Sequence, residues 1–148
     1  MTGVLVLVVT LVVATIAGVL LRRRAGRHRA VASGDRIASA EIGAQLGERA
    51  TLLQFSSAFC QPCRATRRVL GEVAEIVPGV RHIEVDAESH LDLVRRLDVR
   101  RTPTVLLLDA DGVVSTRASG QPTRQQVIAA LGTVIEGPIV GPIEGVPG

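Results

Sequence analysis

Aromatic residues are almost missing from this chain: it has no tryptophan or tyrosine, and Phe55 and Phe59 are its only phenylalanines in 148 residues. So few rings leave almost nothing on which nucleic-acid bases could stack. Lysine is absent as well, all 17 basic residues being arginine. The net charge is only +3, so the pI near 10.0 reflects arginine's high intrinsic pKa rather than a large excess of positive charge. The arginines are scattered or gathered beside an apolar segment, and no nucleic-acid partner is expected.

Cysteine is scarce too. Cys60 and Cys63 are the only two, both within "AFCQPCR" at 58–64. Such a pair can be a redox couple, half of a metal site or a small staple. A structural zinc site needs four ligands, and His28, His82 and His90 offer no second close-spaced pair, so no metal is expected. A static disulfide closing so short a loop would add little stability and would be unusual in a cytosolic domain.

The one long apolar run, "GVLVLVVTLVVATIAGVLL" at 3–21, carries no charge. As a helix it is long enough for the ~30 Å hydrocarbon core of a bilayer, and it reads as a transmembrane helix. A cleaved signal peptide would want a basic residue before the run and a small-residue cleavage site soon after it. Neither is present, since the nearest small-residue triplet, Ala30-Val31-Ala32, lies beyond five arginines. Those arginines (22, 23, 24, 27 and 29) flank the C-terminal side of the run, and such flanks stay in the cytoplasm. The expectation is a single-pass membrane protein whose domain faces the cytosol.

Composition then divides the chain into a span at 3–21, a basic juxtamembrane linker at 22–35, a folded domain at 36–133 and a Gly/Pro-rich tail at 134–148. Within the domain, "TLLQFS" at 51–56 reads as a strand ending just before the cysteines. From Gln61, the apolar positions Val69, Leu70, Val73, Ile76 and Val77 predict a helix stopped by Pro78-Gly79. "VRHIEV" at 80–85 predicts a second strand, followed by a helix burying Leu93, Val94 and Leu97. "TVLLLD" at 104–109 and "VVSTRAS" at 113–119 predict a hairpin around Asp111-Gly112. Thr123 and Gln126 form a capping box for a last helix with Gly132 beyond its end. With a further helix expected in 37–47, the order β-α-β-α-β-β-α predicts an α/β fold: a mixed sheet with helices on both faces.

On this frame Cys60 falls where a strand ends and a helix begins, near unpaired N–H groups and the positive end of the helix dipole. That placement favours a thiolate, and cysteines in such motifs have pKa values of roughly 3.5 to 7.5. Pro62 fits the first helical turn because it has no N–H to lose there. Cys63, one turn on, is the more buried thiol of the pair.

"QFSSAFCQPCR", then "VRRTPTVLLLDADG", then Gly120 ahead of the last helix, together resemble the thioredoxin family over about residues 36 to 133. The family's Trp-Cys-Gly-Pro-Cys active site is matched by Phe59, Cys60, Gln61, Pro62 and Cys63, and its cis-proline by Pro103 between Thr102 and Thr104. The resemblance implies the thioredoxin fold and a thiol-disulfide oxidoreductase. Cys60 attacks and Cys63 resolves, while Phe59, Gln61, Pro62, Thr102 and Pro103 contact the substrate. It implies no cofactor, protein disulfides as substrates, and a reductase or low-molecular-weight thiol as electron donor. One departure is plain: the family's buried aspartate is Gln54 here, and its lysine partner aligns with His82, so proton transfer near Cys63 falls to Gln54, His82 or water.

A catalytically weak thioredoxin-like binding module of a membrane complex is the alternative from another class. Intact Cys60, Cys63 and Pro103 count against it. An exported, membrane-anchored thioredoxin keeps the enzyme but reverses its side. Those relatives carry an insertion in mid-fold for which the interval from Cys63 to Pro103 has no room.

Overall fold

The computed structural model describes residues 1–25 and 35–136, the side chains of 18–25 excepted. Arg27 and Arg29, the side chains of Arg22, Arg23 and Arg24, and nearly all of the expected tail lie outside these described residues. The first element, α1 (Thr2–Ala25), is helical along its length, and its apolar side chains from Val4 to Ile16 are exposed. Among the described residues no helix is long and apolar enough to cross a membrane, the expected span at 3–21 running past the last described side chain of α1.

The remaining order is α2 (Ser39–Ile42), β1 (Ala50–Ser56), α3 (Gln61–Ile76), β2 (Val80–Asp86), α4 (Leu91–Arg96), β3 (Thr104–Asp109), β4 (Val114–Ser119) and α5 (Arg124–Ile135). One four-stranded sheet runs β2-β1-β3-β4. β1 pairs parallel to β2 across the α3 crossover, and antiparallel to β3, so the sheet is mixed.

β1 is buried along its whole length because both of its faces are covered. Alternation sends Leu53 and Phe55 to one side, where Ile42, Leu93, Leu97, Leu106 and Leu108 complete a core under α2 and α4. Ala50 and Leu52 go to the other side, against Leu70 and Val73 of α3 and Val127 and Leu131 of α5. Burying a leucine or phenylalanine contributes ~1.5–3 kcal/mol, so these two layers hold the sheet in place.

The β3–β4 turn brings Gly112 against residue 37. Its φ is +81°, and a Cβ there would lie 2.5 Å from the Ile37 carbonyl oxygen, so only glycine fits. Ile37 N–H donates to the Gly112 carbonyl at 2.9 Å, tying the domain's first residues to the sheet edge.

Three expectations need correction. The helix sought in 37–47 is a single turn, because Gly43 turns left-handed at φ +63° and ends it. Ile76 does not belong to the buried stripe of α3, being 53% exposed, and Thr66 takes a buried place instead. Gly132 lies inside α5, which continues to Ile135 because Val134 and Ile135 still pack on the second core.

Candidate active site

The C-terminal end of β1 delivers the chain through Ser57, Ala58 and Phe59 to Cys60, the N-cap of α3. Cys60 and Cys63 are joined in a disulfide with Cα atoms 5.2 Å apart. The Cys60 Sγ accepts the backbone N–H of Cys63 at 3.2 Å, one of the orphan donors of the first turn. Pro62 stands in the first turn of the helix, where no partner is needed for its missing N–H. Cys63 is only 2% exposed and Cys60 is half-buried, so the two sulfurs differ in access to solvent. Phe59 stands fully in solvent beside them, and Gln61 and Pro62 are exposed as well.

The start of β3 supplies the facing wall. The Thr102–Pro103 peptide bond is cis, Pro103 is buried, and its carbonyl accepts the Gly120 N–H at 2.8 Å. Ser57 Oγ and Thr102 Oγ1 lie 2.9 Å apart, a contact that brings the cysteine loop to the proline loop. Nothing in the sequence pointed to Ser57 except its place within the cysteine motif.

Behind the cysteines, Gln54 is fully buried and uses every polar group of its side chain. Its Nε2 donates to Ser56 Oγ at 2.9 Å and to the Cys63 carbonyl at 3.0 Å, and its Oε1 faces His82 Nε2 at 3.0 Å. Sequence reasoning named both residues, and the parallel β1–β2 register is what brings them together, with Leu52 opposite His82 and Gln54 opposite Glu84. Burial pushes the His82 imidazole below its ordinary range; the Glu84 carboxylate opposes this and the Arg67 guanidinium assists it.

Glu84 is a member of this cluster that the sequence did not reveal, and Arg67 of α3 grips it with two nitrogens, at 2.5 and 2.8 Å. Burial alone would raise the Glu84 carboxyl, but hydrogen bonds from Arg67 and Ser56 outweigh it and hold the group below its usual range. An open cleft of about 390 Å³ lies alongside, lined by Ser56, Ser57, Ala58, Arg67, Glu84 and Asp86. Among the described residues no three His, Cys, Asp or Glu side chains are grouped to hold a metal ion.

A mixed sheet carrying a Cys-X-X-Cys disulfide at a helix N-terminus, faced by a cis-proline, defines a domain built around a redox-capable cysteine pair. The thioredoxin family profile matches residues 39–133, and the chain belongs to that family. Among curated proteins it is 30% identical to Thioredoxin-2 of Pyricularia oryzae over 80 residues, covering 53% of this chain and 47% of that protein. Thioredoxin H4-1 of Oryza sativa is 28% identical over 81 residues, covering 54% of this chain and 62% of its own. The chain thus spans about half to three-fifths of the length of these relatives. Of solved structures, a mutant thioredoxin from Halobacterium salinarum superposes with a TM-score of 0.54 at 20% identity, covering 68% of this chain and 80% of that one. Spinach chloroplast thioredoxin F gives 0.52 at 22%, covering 60% and 78%, and both share the fold.

Proposed function

We propose that this chain is a membrane-tethered thiol-disulfide oxidoreductase that reduces protein disulfides through Cys60 and Cys63. The observation that carries this reading is the asymmetry of the pair: a half-buried Cys60 Sγ at the N-cap of α3, receiving the Cys63 N–H, next to a buried Cys63.

In the reduced dithiol, that N–H and the helix dipole favour a thiolate at Cys60, whose proton has gone to solvent. The Cys60 thiolate attacks one sulfur of a substrate disulfide. The substrate S–S bond breaks, its electron pair leaves with the other sulfur, which takes up a proton, and a mixed disulfide forms. Cys63 then gives up its proton and attacks the Cys60 Sγ. The mixed disulfide breaks, the second substrate sulfur leaves as a thiolate and is protonated, and the Cys60–Cys63 disulfide closes. Two electrons have passed to the substrate. A reductase or a low-molecular-weight thiol must return them to the pair. Phe59, Gln61, Pro62, Thr102 and Pro103 form the rim that an extended substrate segment meets, and the apolar Phe59 side chain gives that segment somewhere to bury.

The tether is α1. Its support is the uncharged run at 3–21, the solvent exposure of its described apolar side chains, and the arginines that follow it in the sequence. Their positive charge supports a domain on the cytoplasmic side, where such flanks are in excess.

The test is trapping. In the full chain, Cys63→Ser should accumulate mixed disulfides with partner proteins, Cys60→Ser should accumulate none, and the wild type should reduce insulin disulfides. Equal trapping by both variants, or no reduction by the wild type, contradicts the reading.

A further inference from the structure

We propose that Gln54 is a positioning residue for the step in which Cys63 closes on Cys60, and that His82 fixes the orientation in which Gln54 works. This rests on the reading of Cys63 as the resolving thiol.

The orientation of the Gln54 amide follows from its neighbours. Its partner in α3 is the Cys63 carbonyl oxygen, which can only accept, so the amide nitrogen must face it. The second amide hydrogen is taken by Ser56 Oγ at 2.9 Å. Oε1 is left facing His82 Nε2, which must therefore carry the hydrogen and donate it. Reversing the amide would set oxygen against the Cys63 carbonyl oxygen and leave a buried repulsion. The tautomer of His82 is fixed by the same logic, with the hydrogen on Nε2 and the acceptor lone pair on Nδ1. The imidazole nitrogen on the Gln54 side thus has no lone pair to accept a proton, so His82 acts on Cys63 through Gln54 and not as its base.

The consequence for Cys63 is that its backbone is held at both ends. Its N–H points at Cys60 Sγ at 3.2 Å, and its C=O is gripped by Gln54 from a strand buried on both faces. A sulfur attached to so fixed a backbone samples few positions other than the one facing Cys60, and such alignment accounts for large parts of intramolecular reaction rates. Three more side chains complete the setting: Glu84 and Arg67, paired across β2 and α3, and Ser56, which accepts from Gln54.

The experiment is single-turnover reaction of the reduced full chain, in detergent, with oxidised glutathione. Cys60 attack releases one glutathione thiol and forms a glutathione mixed disulfide; Cys63 closure releases the second. Gln54→Leu should slow closure about tenfold, the worth of roughly one well-placed hydrogen bond, and leave attack by Cys60 within about twofold of wild type. The mixed disulfide should then accumulate. His82→Gln, which keeps an N–H donor for Gln54 Oε1, should close like the wild type, whereas His82→Leu should close as slowly as Gln54→Leu.

Should Gln54→Leu fail to fold, Gln54→Glu answers the same question. Ionised, it sets an acceptor against the Cys63 carbonyl; protonated, it can donate to it. Its closure rate relative to wild type should rise as the pH falls. His82, Glu84, Arg67 and, in the reduced protein, the Cys63 thiol are charged or titratable side chains around position 54, and all four are common to both proteins in this ratio. Closure at the wild-type rate in folded Gln54→Leu, equal slowing of both steps, a flat ratio for Gln54→Glu, or equal loss in His82→Gln and His82→Leu overturns the proposal. A wild type that closes on glutathione yet leaves insulin oxidised would sink the protein-reductase reading alone. A wild type that forms no glutathione mixed disulfide would sink both.

Discussion

Ser57 and Thr102 are 45 positions apart in the chain, yet their hydroxyl oxygens lie 2.9 Å from each other. One precedes the cysteine helix and the other precedes Pro103, so this contact joins the loop before the cysteines to the loop before the cis-proline. Ser57→Ala and Thr102→Val should each lower the unfolding free energy by about 1 kcal/mol, the net worth of one hydrogen bond. Because both remove the same bond, the double variant should lose less than the sum of the two. Urea midpoints of the four proteins measure this, and strictly additive losses would show that the hydroxyls do not interact.

His82 gives a pH dependence whose sign is fixed. Burial holds its imidazole below the ordinary value of 6.5, with Glu84 opposing and Arg67 assisting. The unfolded chain therefore binds a proton at pH values where the folded chain does not. Stability is full above about pH 6.5 and is lost as pH falls through the lower folded-state value. Glu84, also held low when folded, adds a loss in a more acid window, below its ordinary 4.5. Urea midpoints at pH 8, 6.5 and 5 should fall for the wild type and fall less for His82→Gln. Parallel profiles would mean that position 82 is not the source of the slope.

Local signals carried most of the fold. "TVLLLD" became β3 with the ends read from the sequence, and Thr123 with Gln126 caps α5 reciprocally, the Thr123 side chain accepting at 3.3 Å and Gln126 returning a bond at 2.9 Å. These features depend on neighbours in the chain, where composition is informative. Ile76 was misread because a helical stripe records only period, while the sheet beneath α3 decides how far along the helix burial extends. Gly132 was misread as a stop because the packing of Val134 and Ile135 outweighs its low helix propensity. At the site, Cys60, Cys63 and Pro103 were legible as motif residues, whereas the Arg67 grip on Glu84 and the Ser57–Thr102 contact join distant segments. No spacing rule reveals those.

With α1 as the proposed tether, the arginines after residue 21 predict a domain on the cytoplasmic side. A protease added outside intact cells should leave residues 35–136 undigested, and should digest them once the cells are opened. Cleavage in intact cells would place the redox pair on the exported side. Replacing Arg22, Arg23, Arg24, Arg27 and Arg29 with glutamine should weaken or invert the preference, because positive flanking charge is what holds a segment on the cytoplasmic side.

Arg117 clasps the end of α4, ahead of the segment that leads to the cis-proline. Its side chain leaves β4 and reaches the end of α4, where Nη2 donates to the Leu97 carbonyl and Nη1 to the Asp98 carbonyl at 3.0 Å. These are carbonyls at the end of α4 that no later turn satisfies, at the negative end of its dipole, so a cation with two donors suits them. Asp98 itself takes a left-handed φ of +49°, which reverses the chain toward Arg100, Arg101, Thr102 and Pro103. A lysine at 117 keeps the charge but offers a point donor in place of a planar fork, and cannot hold two carbonyls in fixed relation. Arg117→Lys should therefore cost about 1 kcal/mol in urea unfolding. It should also raise the KM for a protein disulfide, because the segment leading to Thr102 loses its anchor. Reaction with oxidised glutathione, which depends on the cysteine helix, should be unchanged. An Arg117→Lys variant as stable as the wild type and with the same KM would show that the turn at Asp98 holds its shape without the clasp.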